Sequence, residues 1–173
     1  MANQLRSTVR LDKVKSVYNS HIFSVRATQL LENGHFVKLG DLEAKNIEVH
    51  GMAVPKAKDK LVLIANPAII YDNTSRMGAD QERYYFMETG EVVRAYEIVE
   101  NDVISVSKLG IDGTAVVGEY LVAGAGTKLV PSSSPATSGF CAKVVRFDKI
   151  GGALSINLTQ TATEYVVMEV LAN

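Results

Sequence analysis

The chain has 173 residues, one cysteine, no tryptophan and near-balanced charge, with 18 Lys plus Arg against 19 Asp plus Glu. A fold of this length buries roughly 70% of its unfolded surface and needs no disulfide, so the lone Cys141, between Phe140 and Ala142, reads as a core residue. The balance excludes a global field for nucleic acid or an anionic membrane, and no run reaches the roughly 18 apolar residues that a membrane span requires.

Residues 1–20 are polar and lack strand periodicity. Arg6, Arg10, Lys13 and Lys15 against Asp12 give residues 1–15 a net charge of +3, which leaves −4 for residues 16–173. Two readings stand for this stretch: a frayed terminus, or an arm that orders against an acidic partner. The opening Met-Ala-Asn-Gln-Leu-Arg lacks the hydrophobic segment of a secretory signal, so a cytoplasmic protein is expected.

From residue 21 onward, short runs of β-branched and aromatic residues alternate with Gly, Pro, Asn, Asp and Ser. Strands are expected over 21–26, 35–39, 47–52, 60–65, 84–87, 92–99, 103–107, 119–122, 128–130, 140–147 and 164–171. Turn chemistry separates them at Glu32-Asn33-Gly34, Glu88-Thr89-Gly90, Glu100-Asn101-Asp102, Ile111-Asp112-Gly113 and Gly151-Gly152, because Asn and Gly tolerate positive φ. A brief helical pattern over 27–32 is too short to stand without packing. Residues 71–83 read as a long polar surface loop with room for one helical turn. Residues 131–138, Pro-Ser-Ser-Ser-Pro-Ala-Thr-Ser, read as a flexible connector, either inside one barrel or sandwich or between two subdomains. The expected architecture is all-β: a compact β-barrel or β-sandwich over 21–173 with long surface loops and an extended N-terminal arm over 1–20.

The sites that could carry chemistry are few. His21, His35 and His50 lie fourteen and fifteen residues apart, a spacing that places no two ligands on one element. The stretch from Gly118 to Lys128 is rich in glycine, but its order Gly126-Thr127-Lys128 departs from a phosphate loop. It reads as a hairpin with Tyr120 and Val122 on one face and Leu121 and Ala123 on the other. Tyr84, Tyr85, Phe86 and Tyr96 could stack single-stranded bases or pack a core. Glu82, Glu88, Glu91 and Glu97 offset Arg83 and Arg94, which favours packing. No Gly-x-Ser-x-Gly elbow occurs. Neither enzyme activity nor a metal or cofactor is expected, and a binding or structural role is favoured.

The order of segments then carries a resemblance. Residues 12–25 (Asp-Lys-Val-Lys-Ser-Val-Tyr-Asn-Ser-His-Ile-Phe-Ser-Val), 31–40 (Leu-Glu-Asn-Gly-His-Phe-Val-Lys-Leu-Gly) and 61–72 (Leu-Val-Leu-Ile-Ala-Asn-Pro-Ala-Ile-Ile-Tyr-Asp) begin the match. Residues 90–96, 101–106 and 166–170 continue it. In this order the chain resembles the capsid decoration, or cement, proteins of tailed bacteriophages that infect Gram-positive bacteria. The resemblance implies an all-β virion protein that is assembled in the host cytoplasm and sits on the capsid exterior. Its partner would be the major capsid protein, whose subunits it would bridge. Homo-oligomers are compatible with this role, whereas a small-molecule substrate, a membrane and nucleic acid are not expected partners. The basic residues Arg6, Arg10, Lys13 and Lys15 are then the candidate contacts with the shell. A tail-tube or head-fibre base protein, or an oligonucleotide-binding β-barrel module, are the alternatives.

Overall fold

The computed structural model describes residues 4–68, 81–150 and 162–173. Eleven strands lie in these residues: β1 (Val9–Lys13), β2 (Ile22–Arg26), β3 (Phe36–Glu43), β4 (Asn46–Ala53), β5 (Val62–Ile64), β6 (Val92–Glu97), β7 (Val103–Ser107), β8 (Tyr120–Ala123), β9 (Leu129–Ser132), β10 (Cys141–Ile150) and β11 (Thr163–Ala172). Two single-turn helices, α1 (Ser16–Asn19) and α2 (Gln81–Tyr84), and a 3-10 turn at Lys108–Gly110 complete the described elements. The fold is all-β, as its composition implied. It joins a closed five-stranded barrel, in the order β2-β4-β3-β5-β6, to a six-stranded sheet in the order β1-β7-β11-β10-β8-β9.

Strand alternation builds two cores from one set of barrel strands. Val25, Val37, Val62, Ile64, Val93 and Ala95 point into the barrel, where Leu31, Met52 and Met87 fill the remaining space. Their neighbours Phe36, Leu63 and Tyr96 point outward and meet the inner face of the six-stranded sheet: Ile104 and Val106, Val166 and Met168, Ala142 and Val144, Leu121 and Ala123. Both faces of β5 are therefore buried, and the run Val62-Leu63-Ile64 is apolar throughout instead of alternating. Phe36 and Phe140 pack with ring centroids 5.4 Å apart across the seam.

Three contacts lock barrel to sheet. The Asn173 side chain donates to the Leu61 and Ile98 carbonyls at 2.9 and 2.8 Å and accepts from the Leu61 amide at 2.7 Å. Gly139, at φ +80°, lies so close to the backbone of Ala57 and Lys58 that a Cβ would fall 2.8 Å from it. Asp102 is buried and accepts from the Val99 amide within the β6–β7 turn and from the Lys15 amide, both at 2.9 Å.

Three expectations change. Residues 9–13 are no detached arm. They form β1, which pairs antiparallel with β7 through Val9↔Val106 and Arg10↔Ser105, so the boundary expected at residue 20 cuts through the sheet. The expected strand at 84–87 is the end of α2 followed by a single bridge, Met87↔Leu31, because each residue there packs on a different neighbour. The helical pattern at 27–32 is spent on other partners: the Ala27 amide donates to Glu91 and the Leu31 amide to Met87, both in the segment leading into β6. Of the two readings of 131–138, the loop inside one body is the one found: Pro131 and Ser132 end β9, and the remainder leads to β10 of the same sheet. The hairpin expected over 118–128 forms as β8 and β9, with Leu121 and Ala123 buried and Tyr120 and Val122 half-buried. Most of the loop expected over 71–83, and the turn at Gly151-Gly152, lie outside the described residues.

Candidate functional site

The four N-terminal cations occupy unlike places. Arg6 is inside: its Nη1 donates to Glu32 Oε1 at 2.9 Å, its guanidinium lies 4.9 Å from the Phe86 ring centre, and its amide donates to the Arg83 carbonyl. Glu32 Oε2 also accepts from the Ser7 amide at 2.7 Å, so one carboxylate latches the entry to β1 onto the barrel. Arg10 sits on the outer sheet face, 3.3 Å from Asp12. Lys13 and Lys15 are exposed and carry no ion pair among the described residues. Arg6 therefore serves the fold, and only Arg10, Lys13 and Lys15 remain for a partner.

Among the described residues, His35 is the strongly displaced titrating group of the interior. Its Nδ1 accepts from the Glu32 amide at 3.3 Å and faces Thr127 Oγ1 at 3.1 Å, which assigns the proton to Nε2. That Nε2 is buried without a hydrogen bond, 4.0 Å from Glu32 Oε2. Burial pushes His35 down to about 4, opposed by the Glu32 carboxylate and reinforced by Lys128. The other histidines are elsewhere. His21 Nδ1 lies 2.9 Å from Glu97 Oε2 on the surface, and His50 stands edge-on to Phe23 with its Nδ1 3.0 Å from the Gly40 carbonyl. Among the described residues, no group of three or more His, Cys, Asp or Glu side chains is placed to hold a metal ion.

The aromatics that could have formed a base-stacking platform do not share a face. Tyr96 is buried in the seam, Tyr85 packs on the barrel core and Phe86 lies under Arg6.

Two surface features stand out instead. The first is the distal end of the β3–β4 hairpin. Gly40 passes the Gly51 backbone so closely that a Cβ would lie 3.0 Å from its carbonyl oxygen, which lets the ribbon bend. Arg26 then clamps the hairpin, with Nε and Nη2 on the two Glu43 oxygens at 2.5 and 2.9 Å and Nη1 on the Gly90 carbonyl at 3.0 Å. Beyond this clamp Ile47 is 81% exposed, and Leu42, which precedes it, is 52% exposed.

The second feature is a cleft of about 650 Å³ at the barrel–sheet junction. Phe23, Leu39 and Val62 line it from the barrel, Leu61 and Ile98 from the seam, and the exposed Leu171 from the end of β11. Lys38, Lys58, Asp59, Lys60, Glu97 and Glu100 add charges of both signs to its lining. Lys38 Nζ meets Asp59 at 2.8 Å and, with the Lys56 amide, holds that carboxyl below the usual carboxylate range. Sequence reasoning had no signal for this site, since its lining comes from five separated segments.

Comparison of the chain with family models, with curated proteins and with solved structures finds no match in any of the three.

Proposed function

We propose that this chain is a virion structural protein of a tailed bacteriophage that binds the outer surface of the assembled capsid and bridges major capsid protein subunits, without an enzymatic step. The reading starts from the resemblance in segment order. The observation that carries it furthest is the clamped β3–β4 hairpin, which holds Leu42 and Ile47 in water on a stiff support. Exposed apolar side chains on a pre-ordered element suit docking, since little conformational freedom is left to lose on binding. The exposed cations Lys13 and Lys15, with Arg10, supply a basic contribution beside the sheet edge that suits an acidic patch on a shell.

The test is cosedimentation of the purified chain with shells assembled from the major capsid protein encoded in the same genome. Saturable binding that Ile47→Asp with Leu42→Asp reduces at least about tenfold supports the reading. No binding to intact shells refutes it. Because β1 belongs to the sheet, deleting residues 1–15 would remove an edge strand, and the reversals Lys13→Glu and Lys15→Glu are the cleaner probe of the basic contribution.

A further inference from the structure

Asn33 and Gly34 form the single Asn-Gly pair of the chain. Such a pair is open to attack by the backbone nitrogen on the side-chain amide, since glycine brings no Cβ to hinder the approach. In the fold both reacting groups are tied. Asn33 is buried; its Nδ2 donates to the Asn66 carbonyl at 2.9 Å and its Oδ1 accepts from the Asn66 amide at 2.8 Å, a closed pair that fixes the plane of the side-chain amide. The Gly34 amide donates to the Ile64 carbonyl at 2.9 Å, which holds its proton in place. Asn66 is anchored in turn, because its Oδ1 accepts from the Arg94 amide of β6 at 2.8 Å. Bringing Asn33 Cγ onto the Gly34 nitrogen therefore means breaking three hydrogen bonds at a buried residue.

We propose that Asn33 is a deamidation site of the opened chain, shielded in the folded protein, and that its modification weakens the fold. When the turn opens, the Gly34 nitrogen gives its proton to hydroxide and bonds to Asn33 Cγ. The Cγ–Nδ2 bond breaks, and ammonia leaves with a proton taken from water. Water then opens the cyclic imide and returns a proton to the Gly34 nitrogen, so that cleavage at Cγ yields aspartate and cleavage at the main-chain carbonyl yields isoaspartate. Neither product suits the turn. Aspartate replaces the donor that faced the Asn66 carbonyl by an acceptor and sets a second carboxylate directly after Glu32. Isoaspartate lengthens the main chain by a methylene next to Gly34, which at φ +88° runs so close to its surroundings that a Cβ would lie 2.8 Å from Val106 Cγ1 and 3.2 Å from Ser7 Oγ. Each opening of the turn thus exposes the chain to an irreversible loss, which makes its lifetime a matter of kinetic stability.

The experiment uses the full chain and two readouts. In the first, the wild type is incubated warm in mildly alkaline buffer, folded in one sample and unfolded by guanidinium chloride in the other. The peptide that carries Asn33 is followed by mass spectrometry for the gain of amide-to-acid conversion. The folded sample should react at least about a hundredfold more slowly, because reaction then waits on a sparsely populated open state. Comparable rates in the two samples overturn the shielding. In the second, Asn33→Asp supplies the aspartate product directly, and its urea melt is compared with that of the wild type. A lower midpoint, or failure of the variant to fold, supports the destabilising effect. An unchanged midpoint overturns it. The first readout needs no variant, so a variant that fails to fold leaves the shielding open to refutation.

Discussion

The barrel and the six-stranded sheet solve the same problem in different ways. Closing β2-β4-β3-β5-β6 on itself leaves the barrel with no edge, whereas the sheet ends at β1 and β9 and must blunt both. At β1 the register shifts between Arg10 and Lys13, a bulge on an edge strand that also carries three charged side chains. At β9 the Asp112 amide donates to the Leu129 carbonyl at 2.8 Å, and Pro131 then interrupts the donor row. Both edges are thus unsuited to pairing with a neighbour. The two bodies also differ outside their cores. The outer sheet face around β1, β7 and the β10–β11 ribbon carries paired polar groups, Arg10 beside Asp12, Ser105 bonded to Asp12 and Arg146 paired with Asp148, next to the exposed Val145 and Phe147.

If the seam couples the two bodies, breaking it should cost most. Phe140 is fully buried against Phe36 between them, so Phe140→Ala should lower stability by about 3–5 kcal/mol in urea melts. It should also split the transition into a barrel phase and a sheet phase. A single transition that merely shifts would mean that the other seam contacts suffice. Val25→Ala, inside the barrel alone, should leave one transition and shift it less.

Acid should act on the same seam through His35. Unfolded, this group titrates near 6.5, and folded it titrates at about 4, so between those values the unfolded chain binds more protons. Stability is therefore complete above pH 6.5 and falls as the pH drops toward 4, by about 3 kcal/mol in total, with no further loss from this group below that. His35→Gln should flatten the slope between pH 6.5 and 4. The carboxyl groups of Glu164, held down to about 2 by Lys108 and Lys149, and of Asp59 add losses only in the more acid range. An unchanged slope in the variant would rule out His35 as its source.

Next comes the latch. Glu32→Gln leaves the Arg6 cation facing a neutral amide in a mostly enclosed site, and should cost about 2 kcal/mol, with proteolysis at residues 4–8 rising as β1 loosens. Equal protease resistance would show that pairing of β1 with β7 holds the segment without the latch.

How far the sequence disclosed these features follows from their range. The β8–β9 hairpin, β7 and most of β10 and β11 carry their own period-2 pattern and turn residues, and positive φ at Gly34, Gly90, Gly113 and Asn101 falls in the expected turns. β1 was hidden because its outward residues Arg10, Asp12 and Lys13 leave only Val9 and Leu11 to signal a strand. The aromatic run before Met87 looked like a strand because bulk and β propensity say nothing about which neighbour each ring will find. The Arg6–Glu32 latch spans 26 residues and the Asn173–Leu61 clamp 112, so neither leaves a local mark. The junction cleft is longer in range still, since its lining runs from Phe23 to Asn173 in five separated segments.

The smallest expected effect tests whether geometry or environment gives an ion pair its weight. Arg146 and Asp148 form two hydrogen bonds, at 2.9 and 3.1 Å, which makes the pair as well shaped as the Arg6–Glu32 latch. Its carboxyl group is held below the ordinary aspartate range by that contact, and the Arg146 guanidinium is correspondingly raised. Yet Arg146 stands on the solvent face, where water and salt replace each bond at little cost and ordering two long side chains opposes the gain. Arg146→Met should therefore leave the urea midpoint unchanged at both low and high salt, in contrast to Glu32→Gln. A clear loss of stability at low salt that disappears at high salt would instead show that Arg10, Asp12, Arg146 and Asp148 act as one coupled network on the outer face, consistent with the influence of Arg10 on Asp148 and of Asp12 on Arg146.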